Sequence, residues 1–306
     1  MKLFSIIVIY NGMHRDWIQK CFSSLQNSSL PNQIIAIDNN SSDNSVEYIK
    51  AHFPNVLLLE SKENLGFGGA NNLGLKKALE MGGEYFFLLN QDAWVEENTL
   101  EILVQLSKKN PDYGIISPLQ LDGTGERLEW GFSNSIGYDY NKDFFSDFVL
   151  NKPKKDLYNT TESYAASWLL TKETLRKVGG FNPSFFHYGE DDNYCKRTLF
   201  KNLKIGVTPH TSICHDTYHK PENKFKNFEE TEKRRIIQLL SDPNTQGNAQ
   251  IITQLRNKMI KSFLFFDFKQ YKVYYRLHSY FRTHFSTISE NNIKSSSNQK
   301  FIFIKH

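Results

Sequence analysis

The amino-acid sequence predicts an α/β protein: a mostly parallel central sheet flanked by helices, followed by a helical extension. Three observations predict it. Short continuous apolar runs recur through the first 118 residues, as in strands buried on both faces. Helix-length segments with apolar residues three or four apart separate them, long enough to return the chain for parallel pairing. Beyond residue 226 the composition turns helical, basic and aromatic.

Taken in order, residues 3–10 form the first run and read as a strand, since no small-residue cleavage site follows them as in a leader peptide. Trp17, Cys21 and Leu25 make one apolar helix face. Residues 33–38 are the second strand, and Asp43 is placed to cap a helix through Val46 and Ile49. Residues 56–60, 85–90 and 114–118 repeat the strand pattern; helices around 70–78 and 100–106 lie between. Residues 119–162 carry turns and scattered aromatics without clean periodicity. Residues 164–171 are strand-like, 172–178 suit a short helix ended by Gly179-Gly180, and 191–200 suit another. A strand over 204–208 stops before Pro209. Residues 228–260 read as helical, and the last dozen, with Ser295, Ser296 and Ser297, are expected to be loose. No internal repeat is visible.

Composition narrows the function classes. Of 306 residues, 39% are hydrophobic and 23% charged, which suits a packed core and excludes wholesale disorder. No stretch approaches 18 consecutive apolar residues, so a spanning helix is not expected. Cys21, Cys195 and Cys214 have neither disulfide-framework nor zinc-site spacing, which points to a reducing compartment. The net charge is only +4, but from residue 251 onward ten Lys and Arg face only Asp267 and Glu290. The basic character therefore belongs to the tail. No nucleic-acid-binding motif accompanies it.

Five polar constellations stand where strands end, the place where an open α/β sheet binds ligands. Asp38 closes Ile34-Ile35-Ala36-Ile37 and can accept from a nucleobase imide or a sugar hydroxyl. Asn64-Leu65-Gly66-Phe67-Gly68-Gly69 permits close backbone approach before a helix. It lacks the Gly-Lys-Ser/Thr ending of a P-loop and follows the third strand, unlike a dinucleotide fingerprint. Asn90 and Asp92, two apart after an apolar run, can approach one hard cation and its diphosphate. Glu190, Asp191 and Asp192 open a helix beside Phe185, Phe186 and Tyr188, where a carboxylate can serve as general base to a sugar hydroxyl. His210, His215 and His219 follow the 204–208 strand, and His215 is the favoured ligand among them.

Together these motifs resemble family 2 glycosyltransferases, the inverting group with the GT-A fold, and within it the bacterial rhamnosyltransferase-like branch. The resemblance rests on the order of Ser5-Ile6-Ile7-Val8-Ile9-Tyr10-Asn11, the Asp38–Asp43 run, Asn64-Leu65-Gly66-Phe67-Gly68, Leu89-Asn90-Gln91-Asp92, Gly179-Gly180-Phe181 and Glu190-Asp191. It covers about residues 3–220.

The resemblance implies a catalytic unit over 1–225, with a donor half to about residue 118 and an acceptor half after it, and a helical extension over 226–306. It implies a nucleotide-sugar donor, dTDP-rhamnose or a UDP-sugar, contacted by Asp38, Asn64, Gly66, Gly68, Asn90 and Asp92. Mg²⁺ or Mn²⁺ would be held by Asp92, Asn90 and His215; Asn90 replaces the first acid of the family's DxD motif. Asp191 matches the catalytic base, with Glu190 as its fallback. Where the branch often has an aspartate two positions later, this chain has Asn193. Trp168, Tyr188 and Asp192 are candidates for acceptor contact, with Trp130, Phe185 and Phe186 as further stacking rings. A glycan or lipid-linked glycan is the implied acceptor, in cytoplasmic synthesis of surface polysaccharide.

Two other classes have less support. A nucleotidyltransferase would carry a glycine-rich basic loop after the first strand, where this chain has Tyr10-Asn11-Gly12-Met13-His14. A noncatalytic glycan-binding module would not require Asp38, Asp92 and Asp191 together. The basic aromatic segment 251–285 predicts an amphipathic helix near 259–275 that meets an anionic membrane surface or a second copy of the chain.

Overall fold

The computed structural model describes residues 1–218, 227–245 and 250–304. Its centre is a nine-stranded sheet. The N-terminal strands are β1 (Leu3–Ile9), β2 (Gln33–Asp38), β3 (Leu57–Glu60) and β4 (Tyr85–Asn90). They pair in parallel, in the order β3-β2-β1-β4. The crossover helices are α1 (Trp17–Gln26), α2 (Ser45–His52) and α3 (Gly66–Glu80).

Alternation along these strands creates two cores. Ile7, Ile9, Ala36, Phe87 and Leu89 face α1 and α4 (Thr99–Lys109). Phe4, Ile6, Ile35, Ile37, Phe86 and Leu88 face α3. Both faces are covered, which is why these strands read as unbroken apolar runs.

The second half of the sheet is mixed. β5 (Ala93–Val95) and β6 (Tyr113–Asp122) come first, then β7 (Tyr158–Thr160), β8 (Ser167–Thr171) and β9 (Lys204–His215). β8 is antiparallel to both β4 and β6, so the sheet is parallel in its first half and mixed in its second. β6 and β9 run parallel through a register shift between Pro118 and Leu119, the partner jumping from Thr208 to Ser212. That irregularity absorbs Pro209, so the strand continues to His215 instead of stopping at Thr208. Strand pairing at 164–171 begins only at Ser167. Helices α5 (Trp130–Ser135) and α6 (Lys142–Val149) occupy the aromatic stretch whose period is unclear in the sequence. Their N-caps Glu129 and Asn141 accept from Phe132 and Phe144 backbone N–H groups.

Helices α7 (Lys172–Val178) and α8 (Glu190–Phe200) pack on the α3 side. The C-terminal helices are α9 (Phe228–Leu240), α10 (Gln250–Leu264) and α11 (Phe268–Ser296). They build a third core of Ile237, Leu240, Leu255, Leu277 and Phe281 around Phe185. Two expectations are corrected here. The helix placed near 259–275 is broken by a turn at Phe265–Asp267, making α10 and α11 a hairpin. The described residues up to 304 are not loose: Ile302 and Ile304 are buried, and Gly180 N–H donates to the Ile302 carbonyl at 2.8 Å. A Cβ at Gly179, whose φ is +84°, would lie 2.3 Å from Ile302 Cγ1.

Candidate active site

The carboxyl ends of β1, β2 and β4 meet at one edge of the sheet. Asp38 is buried there, in register with Ile9, and both its carboxylate oxygens lie 3.3 Å from Ser41 N–H. Its neighbour Asn39 ties this edge to the glycine segment: Leu65 N–H donates to Asn39 Oδ1 at 2.7 Å, and Asn39 Nδ2 donates to Asn64 Oδ1 at 3.0 Å. Asn64 Oδ1 also accepts Gly66 N–H at 2.9 Å.

Gly66 and Gly68 have a protein explanation. A Cβ at Gly66 would lie 1.9 Å from the Phe186 carbonyl oxygen, and one at Gly68 would lie 2.9 Å from Phe181 Cβ. Phe186 and Phe181 belong to the segment that leads into the acids of α8. The glycines bring α3 against that segment, and Gly66 N–H donates to Asn64, so packing within the chain accounts for both glycines.

After β4, Gln91 turns back to hydrogen bond both Tyr10 backbone groups. Asn90 and Asp92 face His215, which β9 delivers to the same point. His215 Nε2 stands 3.4 Å from Asp92 Oδ1 and 3.3 Å from Asn90 Nδ2. Ala93 pairs with His215 across β5 and β9, and Asp216 N–H donates to the Asp92 carbonyl at 2.9 Å. Asp216 in turn accepts Trp17 Nε1–H at 3.0 Å.

The donor set suits a divalent cation: one carboxylate, one imidazole and one amide whose oxygen and nitrogen exchange by a flip. Among the described residues, no group of three or more His, Cys, Asp or Glu is placed to hold a metal ion by itself. An open site sharing its cation with a diphosphate needs fewer protein ligands. Of the other histidines, His210 Nε2 turns away to Asp156 Oδ1 at 3.1 Å, and His219 lies outside the described residues.

The second acidic group opens α8. Tyr188 and Gly189 both have positive φ, +66° and +93°, and this tight turn sets three acids in the first helical turn. Burial and the charge of Asp191 push the Glu190 carboxyl up to about 8. Burial and Asp192 push Asp191 up to about 7, against the pull of backbone N–H groups. Burial also raises Asp192, opposed by Lys196, by Gln238 and by Arg234. Gln238 on α9 donates to Asp192 Oδ2 at 2.6 Å, and Arg234 lies over the Tyr188 ring at 4.8 Å. A helix of the C-terminal extension thus packs directly on the acidic turn.

Trp168 is corrected. It is fully buried, it packs against Phe181 and Tyr194, and its Nε1 donates to Ser163 Oγ at 3.1 Å. Its ring has no face left for a sugar. Phe185 is likewise buried in the C-terminal core. Rings that do reach solvent are Trp130, Tyr164, Phe186 and Tyr188. Tyr164 is near Asp191, Asp192, Glu162 and Glu129, whose charges, together with burial, raise its phenol. No periodic signal in the sequence separates it from its neighbours.

Arg197 is the other residue that the sequence motifs did not reveal. It is fully buried, donates to the Val178 and Gly180 carbonyls at 2.7 and 2.6 Å, and donates to Asn193 Oδ1 at 3.0 Å. It thereby locks the Gly179-Gly180 turn to α8.

Comparison with known proteins matches the chain to glycosyltransferase families. Residues 5–178 match the family described as glycosyl transferase family 2, and residues 149–220 match the N-terminal domain of galactosyltransferase. The chain is 23% identical to the low-salt glycan biosynthesis hexosyltransferase Agl10 of Haloferax volcanii, over 65% of this chain and 63% of that protein. It is 23% identical to the O-antigen chain rhamnosyltransferase WbaN of Salmonella anatum, covering 76% and 71%. With the N-acetylglucosaminyl-diphospho-decaprenol L-rhamnosyltransferase of Mycobacterium tuberculosis it shares 23% identity, covering 62% and 68%.

Among solved structures, S. aureus TarS 1-349 in complex with UDP superposes with a TM-score of 0.55 at 14% identity, over 79% of this chain and 66% of that one. GalNAc-T7 with UDP, GalNAc and Mn²⁺ gives 0.55 at 16%, over 79% and 50%. These likenesses establish the GT-A fold. The chain spans slightly less than two thirds of Agl10 and of the TarS fragment.

Proposed function

The chain belongs to glycosyltransferase family 2, and from that membership we propose that it is a metal-dependent inverting transferase moving a sugar from a nucleotide donor to a hydroxyl of a glycan or lipid-linked glycan. The observation that carries this reading is the pair of separate acidic centres. Asp92 with Asn90 and His215 serves the donor diphosphate, and Asp191 at the start of α8 serves the acceptor.

Asp38, at the end of β2, accepts from the nucleobase, and the Asn39–Asn64 bridge holds that edge in place. Asp92, His215 and the amide oxygen of Asn90 would hold Mg²⁺ or Mn²⁺. When bound, such a cation neutralises the charge that gathers on the leaving nucleoside diphosphate. Asp191 takes the proton of the acceptor hydroxyl as that oxygen attacks the anomeric carbon. Attack comes from the face opposite the diphosphate, so configuration inverts and no protein nucleophile is involved. A carboxyl raised toward neutrality is well matched to this task. Glu190 and Asp192 hold the field around it, Arg234 and Gln238 brace them from α9, and Tyr188, Tyr164 and Trp130 offer rings to the acceptor.

L-Rhamnose from dTDP-rhamnose is the favoured donor, supported by the rhamnosyltransferase names of two relatives. A UDP-hexose or UDP-N-acetylhexosamine is the second reading, supported by the UDP bound in the TarS and GalNAc-T7 structures. The decaprenol-linked substrate in the mycobacterial relative's name supports a lipid-linked acceptor, which would bring this enzyme to the inner face of a membrane during surface polysaccharide synthesis. Release of nucleoside diphosphate from a panel of dTDP- and UDP-sugars tests the reading. Acceptor-stimulated release that Asp191→Asn removes supports it; binding of glycan without any release supports a noncatalytic module instead.

A further inference from the structure

The α10–α11 hairpin is buried at its base and bare at its tip. Leu255, Leu277 and Phe281 enter the C-terminal core. Toward the turn the same two helices expose Ile260, Phe263, Leu264 and Phe268, and the turn itself leaves Phe265 73% and Phe266 79% exposed. The tip rings touch mainly one another: Phe263 with Phe268 and Tyr271, and Phe266 with Phe268.

The turn's backbone sharpens the point. Asp267 N–H donates to the Ser262 carbonyl at 2.9 Å and Phe266 N–H to the Phe263 carbonyl at 3.0 Å, the paired bonds of a Schellman motif. Phe266 then occupies the left-handed position that glycine usually fills, with φ of +59°. A phenylalanine there strains the backbone and fills no core. Neither local conformation nor packing within the chain accounts for it.

Charge selects the occupant. Over residues 250–285 there are seven Lys and Arg against Asp267 alone. Glu232 and Glu229 on α9 pair with Lys258 and Arg276, nearer the base of the hairpin. Lys261, Lys269 and Lys272 flank the tip, all exposed. A second copy would bring like charges together, whereas anionic headgroups complement them. No helix among the described residues is long and apolar enough to cross a membrane. We infer that the hairpin tip is a membrane-docking wedge: residues 260–268 seat their apolar side chains at the interface of an anionic bilayer while the flanking lysines meet the headgroups. The inference gives a structural element to the lipid-linked-acceptor reading on which its purpose rests. It is tested without any sugar, so its failure and the failure of that reading are distinguishable.

The experiment is flotation of the full chain with vesicles of phosphatidylcholine alone or with about 30% phosphatidylglycerol, a surface able to attract basic residues. Light scattering of the same samples without vesicles runs alongside. The expected result is flotation with the anionic vesicles only, weakened by ~0.5 M NaCl. Phe265→Ser/Phe266→Gly and Lys269→Glu/Lys272→Glu should each cut bound protein roughly tenfold or more. Phe266→Gly relieves the left-handed strain, so on its own it should leave the melting temperature equal or higher while still reducing flotation. Absence of flotation by the wild type overturns the inference, as does variant flotation equal to wild type. A wild-type dimer that the Phe265→Ser/Phe266→Gly variant turns into a monomer would assign the tip to self-association instead.

Discussion

The roles proposed for Asp191 and Asp92 differ electrostatically, so their substitutions should separate. Asp191→Asn is expected to lower turnover by roughly 10²–10⁴-fold with little change in donor affinity, the scale of a lost general base. Steady-state rates with saturating donor check this. Because burial and Asp192 hold the Asp191 carboxyl at about 7, wild-type kcat/KM should rise with pH through neutrality. A limb near pH 4 would mean that an ordinary exposed carboxylate limits the rate. Asp92→Asn should cost about 3 kcal/mol in the transition state, on the order of a lost electrostatic contact. Activity unaffected by chelation would remove the metal from the account.

The raised acids also predict stability. The folded-state pKa of Glu190 lies above its ordinary value, so the native state holds protons that the unfolded chain has released, and stability falls as pH rises from about 4 to about 8. Glu190→Gln should therefore raise the melting temperature at pH 8, roughly by 2–4 °C per kcal/mol relieved. The gain should vanish near pH 4. At this scale, the placement of Asp38, Asp92, Asp191 and His215 was legible because apolar runs aim them at strand ends or a polar run opens a helix. Trp168 was not, since a tryptophan at the second position of a strand looks the same in the sequence whether it faces a sugar or Phe181.

Elements were legible where their period is regular and local. β1, β2 and β4 are buried on both faces and announce themselves as continuous runs, and the edge strand β3, only half-buried, shares the pattern. β9 did not, because its passage beyond Pro209 depends on a register shift against β6 that only tertiary pairing reveals. The C-terminal residues were misread for a similar reason. Their serines look like a loose end, yet Ile302 and Ile304 fit beside Gly179 and Gly180, more than 100 positions away. This docking is testable: Ile302→Ala should cost about 2–3 kcal/mol in urea unfolding, the range for a large-to-small core change. Asn193 shows why an element can tolerate a departure from its branch. It accepts from Arg197 while its Nδ2 donates to the Ser241 carbonyl at 2.8 Å, a bond that an aspartate cannot supply. Through it, α8 is joined to the segment after α9.

On the scale of the whole molecule, the proposed donor side lies at one sheet edge, and the helical extension braces the acidic turn proposed for the acceptor. α9 supports the acidic turn through Gln238 and Arg234, while the hairpin beyond it presents aromatic and basic residues outward. In the proposed reading the extension both braces the acids and places the enzyme at a membrane, and the division of acids calls for a single displacement. The anomeric configuration of the transferred sugar tests it most directly. Proton NMR of the wild-type product should show the configuration opposite to that of the nucleotide donor; retained configuration would contradict a base-assisted attack at Asp191 and demand a nucleophile that the account does not contain.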